Sequence, residues 1–210
     1  MKRLVVIAAG LSQPSSTRLL ADRLAAATAR ELGGELAADV RVVELRDHAH
    51  EITDHLLTGF PAPALKDVLD AVAAADGLIA VSPIFNASYS GLFKSFFDVL
   101  GDDVLTDKPV LLGATGGTAR HSLALEHALR PMFTYLHAVV APTSVFAATE
   151  DWAGGGDATL HRRIDRAGRE LADLVGRRAS PVVADPFALT TTFDALLSGQ
   201  GRAVTNDLRL

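Results

Sequence analysis

Short, wholly apolar runs recur along this chain, each followed by a stretch of helical period, and that alternation limits the folds open to it. Arg3-Leu-Val-Val-Ile-Ala-Ala9 is β-branched and non-alternating, the character of a strand buried on both faces of a parallel sheet, and Gly10 ends it. From Ser16 or Thr17 to about Leu32, Leu19, Leu20, Leu24, Ala27 and Leu32 return at helical spacing, and Gly33-Gly34 supplies the stop. Val40–Leu45 reads as a second strand and the His- and acid-rich segment after it as a loop. Ala64–Ala75 reads as a helix with Leu65, Val68, Leu69 and Val72 on one face. Gly77–Ser82 is a third strand, Ser88–Leu100 a helix, and Pro109–Thr115 a fourth strand closed by Gly116-Gly117. Ser122–Leu136 is helical and Ala138–Phe146 a fifth strand. Gly154-Gly155-Gly156 is a surface loop, and Asp157–Arg178 a final amphipathic helix.

Five strands alternating with five helices over short connections predict an α/β, doubly wound, five-stranded parallel sheet, because parallel strands need right-handed crossovers long enough to carry a helix. Residues 1–180 form that domain. After Ser180-Pro181 short apolar pieces around Phe187, Phe193 and Leu196-Leu197 are separated by Pro186, a threonine run and glycines. This 181–210 extension is either an ordinary loose terminus or a segment that packs on the core or on a second subunit. Cysteine is absent, which excludes disulfides, thiolate metal sites and cysteine nucleophiles. A net charge of −5 argues against nucleic-acid and anionic-membrane partners. No apolar window is long enough for a signal segment or a membrane span, so the expectation is a soluble, cytoplasmic protein.

Ligands of doubly wound sheets bind beyond the carboxyl ends of the strands. After the first strand, Gly10-Leu-Ser-Gln-Pro-Ser-Ser-Thr-Arg18 places hydroxyls and an arginine at a helix N-terminus, where orphan N–H groups and the helix dipole favour an anion. Ser12, Ser16 and Thr17 can donate O–H bonds and Arg18 can add charge; the same serines and threonine also make an ordinary N-cap. The loop matches neither G-x-G-x-x-G nor a Walker sequence, which leaves a phosphomonoester, best a mononucleotide. After the third strand, Pro83, Ile84, Phe85 and Asn86 offer a flat wall for a planar ring, with Asn86 as a turn residue and Phe85 as a core residue the plainer alternatives. After the fourth, Thr115, Gly116, Gly117 and Thr118 bare backbone N–H groups toward a ligand edge, or form a plain turn. In the strand order 2-1-3-4-5 of flavodoxin-like folds these three loops are neighbours, and flavodoxin holds its FMN there.

The sequence resembles the NADPH-dependent FMN reductase family, and most closely the flavin reductases of two-component sulfonate monooxygenases. The resemblance runs from Arg3 to about Phe146. It rests on Gly10-Leu-Ser-Gln-Pro-Ser-Ser-Thr-Arg18, on Ala75-Asp-Gly-Leu-Ile-Ala-Val-Ser-Pro-Ile-Phe-Asn-Ala-Ser-Tyr-Ser-Gly-Leu-Phe-Lys94, and on Ala114-Thr-Gly-Gly-Thr-Ala-Arg-His121 followed by Ala128-Leu-Arg-Pro131. It implies a flavodoxin-like enzyme with FMN phosphate near Ser12, Ser16, Thr17 and Arg18, and the isoalloxazine against Pro83–Asn86 and Thr115–Thr118. It also implies hydride transfer from NADPH or NADH to FMN, then electron delivery to free flavin, a quinone or a partner monooxygenase. The chemistry is then at flavin N5, with no catalytic side chain. The alternative is a flavodoxin-type electron carrier, for which the charge is mild.

Other residues have competing readings. His48, His50 and His55 lie among acids in a segment that is either a metal site or an exposed loop, and the metal expectation is none. His121 beside Ser122 lacks the G-x-S-x-G elbow of a hydrolase. His127 packs on another helix or lines an interface, and Trp152 covers apolar surface or lies near nicotinamide. Apolar stripes at Leu92, Phe93, Phe96 and Phe97 and at Leu129, Met132, Phe133 and Leu136 either pack inward or cover a partner. The expected assembly is a homodimer or a tetramer acting on a small-molecule acceptor.

Overall fold

A computed structural model describes residues 1–34, 37–152 and 156–178. At its centre β1 (Lys2–Ala8) runs parallel to β2 (Ala38–Glu44) on one side and to β3 (Gly77–Phe85) on the other. β3 first turns back through a two-residue strand, β4 (Ser88–Tyr89), and then pairs across its other edge with β5 (Pro109–Gly116). The outermost lane is divided into β6 (Val139–Val140) and β7 (Val145–Ala148), both parallel to β5.

The expected five strands in order 2-1-3-4-5 are therefore corrected to a seven-stranded sheet with central order β2-β1-β3-β5-β6. Pro142 explains the divided lane, since it has no N–H for the ladder. The chain bows out there: the Thr143 N–H and hydroxyl bond the Glu170 carboxylate at 2.7 and 2.9 Å. The Arg130 guanidinium gathers the Ala141 and Pro142 carbonyls and the Ser144 hydroxyl. Val110 faces Val140 and Gly113 faces Val145, so the bow adds two residues. An even insertion keeps each side chain on its own face.

Alternate residues of the strands feed two cores. On one face Leu4, Val6, Ile79, Val81 and Leu111 meet α1 (Ser16–Glu31) and α6 (Gly156–Arg177) through Leu20, Leu24, Ile164 and Leu171. Those helices touch at Gly168, where a Cβ would lie 2.8 Å from that of Ala27. On the other face Val5, Ile7, Leu78 and Leu112 meet α3 (Pro63–Ala74), α4 (Gly91–Asp98) and α5 (Arg130–Tyr135). Phe93, Phe96, Phe97, Leu129 and Phe133 are all buried there, with Phe97 ring centroids 4.8 Å from those of both Phe93 and Phe133. The two apolar stripes thus pack inward, and Leu92, Met132 and Leu136 lie against the same core.

The segment read as a His-rich loop is a 3-10 turn (Leu45–His48) followed by α2 (Ala49–Thr58), which Gly59 ends at φ +77°. The helix expected from Ser88 starts at Gly91, capped by Ser90. The one expected over Ser122–Leu136 is a 3-10 turn at Ala119–His121, a π-helical turn at Leu125–Leu129, then α5. Gly154, Gly155 and the 181–210 extension lie outside the described residues.

The amino edge of the sheet is stitched by charge. Lys108 is 2% exposed, and its ammonium donates to the carbonyls of Val72, Ala73 and Ala75 at 2.7–2.9 Å, closing the C-terminus of α3. Asp76 accepts the Arg3 N–H at 2.7 Å and lies 3.8 Å from Lys2 Nζ, which donates to the Arg178 carbonyl. Burial above all, then nearby Arg178, pulls the Lys108 pKa from 10.5 to about 8. Lys108→Met orphans three carbonyls and is expected to lower the unfolding free energy by about 2–4 kcal/mol, read from urea midpoints at pH 7. Between pH 8 and 10.5 the native chain has released a proton that the unfolded chain keeps, so stability from this group rises with pH. The gap between wild type and Lys108→Met accordingly widens from pH 8 to pH 10; a narrowing gap contradicts the burial-driven shift.

Candidate functional site

The first wall is built where β1 becomes α1. The Ala9 N–H still bonds the Val81 carbonyl at 2.9 Å. The chain then leaves the sheet at Gly10 and closes tightly, since a Cβ on Gly10 would lie 2.1 Å from Ser15 Oγ. Ser15 is the N-cap: its Oγ accepts the Arg18 N–H at 3.2 Å, and its carbonyl accepts the Leu19 N–H. The N–H groups of Ser16 and Thr17, which no intrahelical carbonyl serves, stand at the head of the helix. The Thr17 hydroxyl shares a buried 2.8 Å hydrogen bond with the Thr115 hydroxyl, tying this helix start to the end of β5.

The second wall is the β3–β4 hairpin. Ile84 pairs with Tyr89 and Phe85 with Ser88, leaving Asn86 and Ala87 as a two-residue turn at φ +49° and +69°. Both residues are left-handed, as tight hairpins require; asparagine tolerates this and alanine is strained by it. Ser82 holds the hairpin base: its hydroxyl donates to the Pro83 carbonyl and accepts the Ser90 N–H at 3.0 Å. Phe85 is left 46% exposed at the rim. The third wall is the end of β5. A Cβ on Gly116 would meet the Phe146 ring at 2.9 Å, whereas nothing lies within 4 Å of one on Gly117.

Together these walls enclose a cleft of about 380 Å³, within the range of small-molecule sites. Of the residues expected from sequence, Ser12, Ser16, Thr17, Pro83, Ile84, Phe85, Thr115, Gly116 and Gly117 line it. Three do not. Arg18 gives Nε to Asp22 at 2.8 Å and a terminal nitrogen to Glu44 at 2.9 Å, and the Asp22 bond leads in holding its pKa above the ordinary value. Asn86 is the hairpin turn, and Thr118 is exposed at the start of the next 3-10 turn. Gly10, Leu11 and Thr149 also line the cleft and were missed. Gly10 was legible as the strand-ending glycine, but the fifth strand was read as ending at Phe146, short of Thr149.

Among the described residues, none that lines the cleft is charged. Arg46 fixes its rim from outside, donating to the Ser12 carbonyl at 3.3 Å while pairing with Glu44 at 3.2 Å. His48 bonds Glu51 at 2.8 Å, and among the described residues no group of three His, Asp or Glu could hold a metal. Trp152 lies under the Arg23 guanidinium, 5.1 Å from its ring centroid, on the α1–α6 side. A larger hollow of about 580 Å³ lies on the flank between α1 and β2. Alanine and valine make up most of its lining, away from the strand ends.

Residues 2–153 match the model of the family described as NADPH-dependent FMN reductase. The FMN reductase (NADPH) of Pseudomonas aeruginosa is 38% identical over 84% of this chain and 94% of its own. The NADH-dependent FMN reductase SfnF of Pseudomonas fluorescens is 36% identical over 86% and 96%. The solved structure of an oxidoreductase from Corynebacterium diphtheriae superposes with a TM-score of 0.82 at 44% identity, covering 85% of this chain and 99% of that one. The loops that form the three walls all lie inside the matched span, and this chain belongs to the NADPH-dependent FMN reductase family.

Proposed function

We propose that the cleft at the ends of β1, β3 and β5 holds FMN, with the phosphate at the head of α1 and the ring system against Pro83–Phe85 and Gly116-Gly117. Family membership makes the protein an NAD(P)H-dependent FMN reductase, an oxidoreductase using FMN and NAD(P)H. The observation that carries the placement is the neutral cradle itself. Ser12, Ser16 and Thr17, the last two at the head of α1, line a space of about 380 Å³. A phosphomonoester accepts several hydrogen bonds at once, and the helix dipole favours its charge. The open space over Gly117 leaves room for backbone donors to meet a ring edge.

Bound there, FMN would supply the redox chemistry, hydride uptake from NAD(P)H and electron delivery to an acceptor. The protein's own residues bind and orient. Ser12, Ser16 and Thr17 hold the phosphate, Thr115 fixes Thr17, and Pro83 and Phe85 give the apolar wall that keeps water off one face. Among the described residues, none lining the cleft carries a carboxylate, imidazole, amine or guanidinium. The acceptor would be a small molecule or a partner monooxygenase. The exposed rim residues Leu11 and Phe85 support a homodimer in which a second chain covers the flavin. Among the described residues no helix is long and apolar enough to cross a membrane, and a cytoplasmic location completes the proposal.

Fluorescence titration is expected to show FMN binding at least about tenfold more tightly than FAD, because the cradle closes on a terminal phosphate; equal affinities contradict that placement. Ser16→Ala is expected to weaken FMN by about 1.5–3 kcal/mol, the range for a hydrogen bond to a charged group, and Arg18→Ala by less. Sedimentation at micromolar concentration should give a dimer. A monomer with full NAD(P)H oxidation removes the shared rim.

A further inference from the structure

Across the hairpin tip from the cleft lies a second hollow of about 310 Å³, lined in part by Ala87, Arg120, His121, Leu123 and His127. The two spaces share their dividing wall: Phe85 and Gly117 face the cleft, while Ala87 and Arg120, a few residues on in the same two loops, face the hollow. Charge sets this hollow apart. In three others on the surface the cations are accompanied by an acid: Arg30 by Asp22, Arg23 and Arg30 by Asp165, and Arg177 and Arg178 by Asp107. Here, among the described residues, one arginine and two histidines line the wall with no carboxylate, in a chain of net charge −5.

Arg120 is exposed and makes no hydrogen bond or ion pair with the described residues. Arg18, Arg41, Arg46, Arg130 and Arg163 each meet a carboxylate. An unpaired guanidinium presents a planar fork of donors suited to a phosphate monoester. NADPH differs from NADH only by such a group, the 2′-phosphate on its adenosine ribose.

We propose that Arg120, with His121 beside it, receives the 2′-phosphate of NADPH, which makes this hollow the subsite that sets preference for NADPH over NADH. The inference rests on the flavin reading of the neighbouring cleft, which the hollow adjoins across the hairpin tip. The chain then handles two phosphates by different physics. The cleft offers neutral donors in a partly enclosed space. An exposed arginine offers a solvent-screened attraction, which suits a substrate that departs at every turnover.

Calorimetric titration with adenosine 2′,5′-bisphosphate and adenosine 5′-monophosphate reads the subsite without turnover. The bisphosphate is expected to bind at least tenfold more tightly, Arg120→Ala to abolish the difference, and Arg120→Lys to keep part of it. In steady-state assays with FMN, Arg120→Ala is expected to lower the ratio of kcat/KM for NADPH to that for NADH about tenfold, through KM. Equal losses with both nucleotides assign Arg120 to the pyrophosphate they share and overturn the proposal, as does an unchanged ratio or equal binding of the two adenosine probes. Failure of the flavin reading shows separately, as a wild-type chain that does not bind FMN, and the calorimetric comparison decides the subsite in either case.

Discussion

β1, β3 and β5 run parallel and leave the sheet almost level with one another: Ala8 lies beside Val81, and Pro83 beside Thr115. A parallel ladder cannot be closed by hairpins, so each strand must return through a crossover. After β1 that crossover brings the positive head of α1 to the strand end. The three exits thus open into one space, and the loops need no contact with each other beyond the bond from Thr17 to Thr115. That hydrogen bond links residues 98 positions apart and ties the head of α1 to the glycine-lined side of the cleft.

The electrostatics of the edge follow from what the arginines already hold. Arg18 and Arg46 both converge on Glu44 at the end of β2, so two cations next to the loop neutralise a strand-end carboxylate and do not enter the cleft. Arg46 also grips the Ser12 carbonyl. The loop is therefore shaped by charge and lined by neutral groups. A dianionic ligand placed there, as proposed, would be balanced by dipoles that folding has already oriented, which would ask for little rearrangement on binding.

How much of this was legible in the sequence depends on the range of the interaction. The central strands could be read because a run such as Val5-Val6-Ile7 is apolar on both faces, and the cradle because its hydroxyls are contiguous. α2 was not, because it buries Ile52 and little else, and a helix with one buried residue leaves no periodic trace. The break at Pro142 was written in the sequence, yet the apolar residues around it masked the missing donor. The pairing of Arg18 with Glu44 was not legible, because Glu44 comes from a different strand 26 residues on. The aromatic stripes were ambiguous for the same reason: nothing local says how much sheet face lies beneath them, and the structure shows enough to bury all four phenylalanines.

The two edges of the sheet are built from different materials. At the amino edge Lys108, Asp76, Lys2 and Arg178 pin helix ends and strand starts through charged hydrogen bonds. In the cleft at the carboxyl edge, glycines, Pro83 and hydroxyl residues line the space without charge among the described residues. A substitution at the first edge changes the fraction of chains that are folded, and in a cell the amount of protein that survives proteolysis. One at the second changes what a folded chain holds. Abundance and ligand choice are thereby inherited through separate parts of one sheet, and a lineage can alter either while leaving the other in place.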